Sequence, residues 1–133
     1  MYFDNSATSF PRPREVAREM ARYLDELGGP YGRSAYPRAV EVSRKVEKAR
    51  DSLAACLGVG RPELLSFMPN ATTGLNFVLQ GFLRPGDEVL VSGLEHNAVM
   101  RPLEALKRLR GISWRVLPSG ADGLLQTGEI SRL

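Results

Sequence analysis

The sequence predicts an α/β fold, a sheet layer with crossover helices, and three observations carry that expectation. Apolar residues recur at three- and four-residue steps in several separate segments, the signature of helices with one buried face. Between them lie short apolar runs at residues 64–68, 88–92 and 112–117, each of strand length. Glycine and proline punctuate the joins, so the chain alternates strand and helix rather than grouping each kind together.

Taken in order, residues 1–14 read as an extended arm, because Pro11 and Pro13 discourage helix until the chain has passed them. Val16, Met20, Tyr23, Leu24 and Leu27 then mark a first helix, stopped by Gly28, Gly29 and Pro30. The loop GGPYGRSAYP leads into a longer helix carried by Val42, Val46, Ala49, Leu53 and Leu57, ending near Gly58. Residues 64–68 suit a buried strand, and Asn70 or a neighbouring threonine can cap the helix that follows. Leu75, Val78, Leu79 and Phe82 are expected to form that helix's buried side. The turn Pro85-Gly86-Asp87 opens a strand at residues 88–92. Val99, Leu103 and Leu106 mark another helix, residues 112–117 a third strand, and Asp122-Gly123 a turn. A last helix is expected to begin at residues 129–133. Three strands make a small sheet for this pattern, so the expectation is a piece of a larger fold: an arm over residues 1–15 and part of a large domain over residues 16–133.

Composition excludes several classes of function. With 133 residues, 43% hydrophobic and 25% charged, the chain can bury a core and is not of disordered type. No apolar run approaches the roughly 18 residues of a membrane span. The opening MYFDNSATSFPRPREV has no basic stretch followed by an apolar core, so no secretory signal is read and a cytoplasmic setting is expected. The net charge of +3 comes from basic residues interleaved with acidic ones, the pattern of solvated helix faces rather than of a nucleic-acid surface. One cysteine, Cys56, and one histidine, His96, leave no set of residues for a disulfide or a metal site. Cys56 lies beside Leu53 and Leu57, where core packing is expected rather than reactivity.

Three segments can carry chemistry. In SFMPNATTGLN an apolar run feeds a polar turn and a helix start, where free N–H groups and the positive end of the helix dipole form a phosphate cradle. Thr72 and Thr73 add hydroxyl donors, and a plain helix cap is the competing reading. The glycine signatures of dinucleotide and triphosphate sites are missing. In SGLEHNAVMRP, His96 falls just past a strand's carboxyl end, where open α/β sheets bind ligands. There it can stack on a flat cofactor or exchange protons, and a surface or cap histidine is the alternative. In DNSATS, small Ala7 sits among the hydrogen-bonding groups of Asp4, Asn5, Ser6, Thr8 and Ser9, which permits close approach of a ligand, though a turn also explains it. Arg33, in the glycine-rich loop, can meet a carboxylate or phosphate, a simply solvated arginine being the commoner reading.

Taken together, YFDNSATSFPRP, GGPYGRSAYPRAVEVSRKVEKAR, SFMPNATTGLN and PGDEVLVSGLEHNAVMRPLEAL resemble, in order, segments of the cysteine desulfurases and their relatives in the class V aminotransferase group. The resemblance covers almost the whole chain. It implies the fold type I architecture of pyridoxal 5'-phosphate (PLP) enzymes, a mixed sheet with crossover helices, here incomplete. It also implies roles: Ala71 and Thr72 at the cofactor phosphate, His96 stacked on its ring and moving protons, and Asn5, Ala7 and Thr8 on the substrate side. Arg33 would approach the site across a homodimer interface. The implied reaction takes the sulfur of L-cysteine as a persulfide, leaves alanine, and passes sulfur to an acceptor protein. Lys45, Lys48 and Lys107 do not fit the family's cofactor-lysine motif, so this chain by itself is expected to lack that activity. Another class V enzyme, an aminotransferase or selenocysteine lyase, is the nearest alternative, and a non-catalytic binding or assembly piece is the other.

Overall fold

A computed structural model describes residues 2–132, which divide into two compact units meeting at Ser66 and Phe67. Met1, at the head of the expected arm, and Leu133, at the end of the expected last helix, lie outside the described residues.

The first unit opens with a turn rather than a straight arm. The amides of Ala7 and Thr8 both donate to the Asp4 carbonyl, at 3.1 and 3.3 Å. Helix α1 (Arg14–Arg22) starts as soon as Pro13 is passed and runs on into a wider π turn over Tyr23–Leu27. Pro37 opens helix α2 (Pro37–Leu57), where its fixed φ suits the first helical position and its missing N–H costs nothing. Gly58 closes α2 at φ +68, a left-handed conformation that side chains resist. The loop between the helices is tied down by polar bonds. Gly32 N–H donates to Ser43 Oγ at 3.1 Å, and Arg50 Nη2 donates to the Tyr31 hydroxyl at 3.1 Å. Paired charges decorate the surface: Lys45 with Glu19 at 3.0 Å, and Arg61 with Glu63 at 2.7 Å. The Arg61 hydrogen bond holds the Glu63 carboxyl below the usual carboxylate range.

The second unit contains helix α3 (Ala71–Phe82), strand β1 (Glu88–Ser92), helix α4 (Asn97–Arg110) and strand β2 (Ser113–Leu117). The two strands pair in parallel, Glu88 opposite Ser113 through Ser92 opposite Leu117, so α4 is the crossover between them. Leu83, Val91, Leu103, Leu106 and Ile112 form the buried core, with Leu79, Val99 and Trp114 packed around it. A short 3₁₀ helix follows at Thr127–Arg132.

Besides the arm, three expectations are corrected. Residues 64–68 form no strand: a 3₁₀ turn over Pro62–Leu64 leads into irregular backbone, and the Leu65 carbonyl accepts from Arg50 Nη1 instead of a neighbouring strand. The described sheet is therefore two-stranded and parallel. The expected buried side of α3 is mostly exposed, Val78 at 60% and Phe82 at 77%, because α3 turns only Leu79 onto this core. Cys56 is exposed rather than packed, since the last turn of α2 has Leu53 and Leu57 in the open with it.

Candidate functional site

The polar turn before α3 is built as a helix start with donors to spare. Asn70 takes extended backbone and its Oδ1 accepts from Thr73 N–H at 2.8 Å, the ordinary N-cap bond. A helix leaves its first N–H groups without intrahelical acceptors, so the amides of Ala71 and Thr72 are presented at the positive end of the dipole. Between Asn70 and its neighbouring threonines the structure selects Asn70 as the cap, leaving Thr72 exposed.

The turn after β1 is equally constrained. Ser92 Oγ donates to Glu95 Oε1 at 2.7 Å and accepts from Leu94 N–H at 3.3 Å. His96 follows as the N-cap of α4, with Nδ1 accepting from Ala98 N–H at 3.0 Å. It is an exposed cap histidine, three residues beyond the turn's first glycine, with one ring nitrogen committed to the backbone.

Thr72 and His96 line one cleft of about 380 Å³, together with Asn76, Gln80 and Arg101. Ala71 begins the same helix but is not among the lining residues. Asn76 and Gln80 continue the Thr72 face at four-residue steps and are linked to it: Asn76 Nδ2 donates to the Thr72 carbonyl at 2.9 Å, and Gln80 Nε2 to Asn76 Oδ1 at 3.4 Å. This polar stripe, T-x-x-x-N-x-x-x-Q, was a readable signal that the motifs alone did not bring out. Arg101, one turn into α4, contributes a positive charge. A larger hollow of about 650 Å³ runs past Met100, Glu104 and Arg108 and contains neither Thr72 nor His96. The larger hollow shares Arg101 and Asn97 with the smaller cleft, so volume alone points away only from Thr72 and His96, and the smaller cleft is the one that adds the helix start and the ring. It has anion donors, a cation and a flat ring, a combination able to hold a small anionic aromatic molecule.

The remaining sequence candidates belong to the first unit. Asn5 Oδ1 accepts from Phe10 N–H at 3.2 Å, and Thr8 Oγ1 accepts from Arg12 Nη2 at 3.1 Å. Ala7 sits inside the turn, and Arg33 is exposed in the glycine-rich loop. Lys107 places its ammonium 4.9 Å from the centre of the Trp114 ring, a cation–π contact outside the cleft lining. Among the described residues no group of three His, Cys, Asp or Glu side chains could hold a metal, and no helix is long and apolar enough to cross a membrane.

Known proteins resemble the chain along its length. It is 31% identical over 131 residues to a probable cysteine desulfurase of Methanothermobacter thermautotrophicus, covering 98% of this chain and 32% of that protein. A solved NifS-like protein superposes with a TM-score of 0.86 at 28% identity, over 100% of this chain and 36% of the other. A solved C-DES variant carrying glycine covalently linked to its PLP cofactor aligns at 28% identity and TM-score 0.63, over 78% of this chain and 26% of that one. The chain thus spans about a third of the length of the curated relatives it matches. Residues 1–133 match the aminotransferase class-V description from end to end, and the chain belongs to that family.

Proposed function

We propose that this chain supplies the phosphate- and ring-binding part of a PLP-dependent cysteine desulfurase. The observation that carries the reading is the cleft that has Thr72 of a helix start on one wall and His96 on another. Its size suits a small cofactor, at the low end of the roughly 300–1,000 Å³ of ligand pockets. The Ala71 and Thr72 amides and the Thr72 hydroxyl bind the phosphate, for which a helix N-terminus is a ready partner. His96 lays its ring against the pyridine and so fixes its plane. Asn76 and Gln80 orient the Thr72 wall, and Arg101 adds attraction for the anion. When bound, PLP supplies the electron sink that the conversion of L-cysteine to alanine requires, its sulfur being left on a thiol as a persulfide. The family resemblance assigns Asn5, Ala7, Thr8 and Arg33 to the substrate side of the whole enzyme, which works as a cytoplasmic homodimer that hands sulfur to an acceptor protein. The names of the relatives support the substrate, L-cysteine.

The test is an amide NMR titration of the chain with PLP, with inorganic phosphate as competitor. The Ala71 and Thr72 signals are expected to move first. Thr72→Val should weaken binding about tenfold, as expected for losing one hydrogen bond to a charged group. Borohydride treatment should leave no fixed adduct on Lys45, Lys48 or Lys107. Binding that moves neither α3 nor His96, or a stable adduct on one of those lysines, would overturn the assignment.

A further inference from the structure

The residue before His96 is engaged in a way that the cofactor reading does not use. Glu95 Oε1 accepts from Ser92 Oγ at 2.7 Å and from Ser92 N–H at 3.4 Å, and Ser92 Oγ in turn accepts from Leu94 N–H. The carboxylate therefore closes the turn that carries the chain from the last residue of β1 to the cap of α4. At the far side of that turn, His96 Nδ1 accepts from Ala98 N–H. A neutral imidazole has one protonated and one bare nitrogen. Because an amide N–H can only donate, Nδ1 is the bare one and the proton resides on Nε2.

We infer that Glu95 is a positioning residue for His96: by closing the turn from Ser92, it holds the ring as the cap of α4 in a single Nε2–H tautomer. The two nitrogens then have separate duties. Nδ1 serves the helix, and Nε2 is the nitrogen left to face a ligand, as a donor. The consequence for cofactor binding rests on the function proposed above, whereas the tautomer stands on the hydrogen bonds alone. A ring held in this way presents one fixed plane and one fixed donor, which favours stacking. Proton traffic through Nδ1 would require α4 to give up its cap.

His96 is the sole histidine of the sequence, so its ring nitrogens can be read without assignment. The experiment is a long-range ¹H–¹⁵N spectrum of the imidazole in the purified chain at about pH 8, where a free imidazole is neutral. The unaltered chain should show well-separated nitrogen shifts, Nδ1 bare and Nε2 protonated. Glu95→Ala should bring the two shifts together as the tautomers mix, while Glu95→Gln, which keeps the acceptor oxygen, should restore the separation. Ser92→Ala, which removes the hydroxyl that donates to Glu95 and accepts from Leu94 but leaves the Ser92 N–H to the carboxylate, should fall between them. Averaged shifts in the unaltered chain, or a Glu95→Ala variant that melts at lower temperature with unmoved ring signals, would overturn the inference. The PLP titration separates the two claims. A locked tautomer in a chain that does not bind PLP at α3 would sink the function and spare the inference, and binding with a freely mixing ring would do the reverse.

Discussion

The two units of the molecule are held together by different means. In the second, Leu103 and Ile112 are at most 2% exposed and sit in one continuous apolar cluster with Leu83, Val91 and Leu106. In the first, the buried apolar residues are Leu27, Ala39, Val42 and Ala54, two of them only alanines, while Met20 and Leu24 are 64% and 74% exposed. Its loop is fixed instead by polar bonds from Arg50, Tyr31, Gly32 and Ser43. The difference follows from the elements. Two parallel strands and a crossover helix create an inside for apolar side chains, whereas helices joined by a glycine-rich loop enclose little. Burial sets stability in the second unit, and backbone fit and hydrogen bonding set it in the first.

Leu103→Ala should therefore have the largest effect of any single change. Truncating a buried leucine typically costs about 2–5 kcal/mol, and this one is fully enclosed. Leu53→Ala, at a position 44% exposed in the first unit, should cost under about 1 kcal/mol. Urea unfolding followed by the fluorescence of Trp114, the chain's sole tryptophan and a neighbour of the core, measures the first directly. Equal losses from the two variants, seen by hydrogen exchange in each unit, would break the contrast.

Gly29→Ala tests whether backbone fit governs the first unit. A Cβ at Gly29 would stand 3.0 Å from the Ala39 amide nitrogen and 3.1 Å from its Cα, and neither is a flexible side chain that can swing away. The cost should be about 1–3 kcal/mol, the usual range for overpacking. It should appear as faster amide exchange at the start of α2, with the second unit unchanged. Unaltered exchange in α2 would show that the loop yields, and that polar ties alone hold it.

The same contrast explains what could be read in the amino-acid string. Strand β1 was legible to its ends because Pro85-Gly86-Asp87 and Gly93 bracket an apolar run. The start of α3 was legible because Asn70 carries its own cap chemistry. Thr72 and His96 could be nominated as site residues since each stands at a local junction, strand end or helix start. Residues 64–68 misled for the opposite reason. An apolar run becomes a strand only where another strand offers its edge, and local pattern does not record that. Val78 and Phe82 have helical spacing, but spacing says only that a face exists, not what covers it. Arg101 was overlooked because it joins Thr72 only where α3 meets α4, a contact between distant parts of the chain.

The smallest expected effect lies in the charges of the first unit. Lys45 donates to Glu19 at 3.0 Å, and that bond, then the Lys45 charge, holds the Glu19 carboxyl below the usual carboxylate range; slight desolvation opposes it and Arg22 assists. A carboxyl lowered by folding adds stability that is present above its unfolded value and is lost as pH falls through its folded one. Both side chains are substantially exposed, 61% for Glu19 and 38% for Lys45, so water and salt screen most of that gain. In an acid titration followed by carboxyl NMR, Glu19 should titrate below the ordinary glutamate value, as Glu63 should beside Arg61, and Lys45→Ala should return Glu19 toward that value. Added salt should narrow the gap in the unaltered chain, with little change in the urea midpoint at neutral pH. If Lys45→Ala instead unfolded the first unit, this surface pair would be a main support of α1 against α2, and the reliance on backbone fit argued from Gly29 would have to be shared with it.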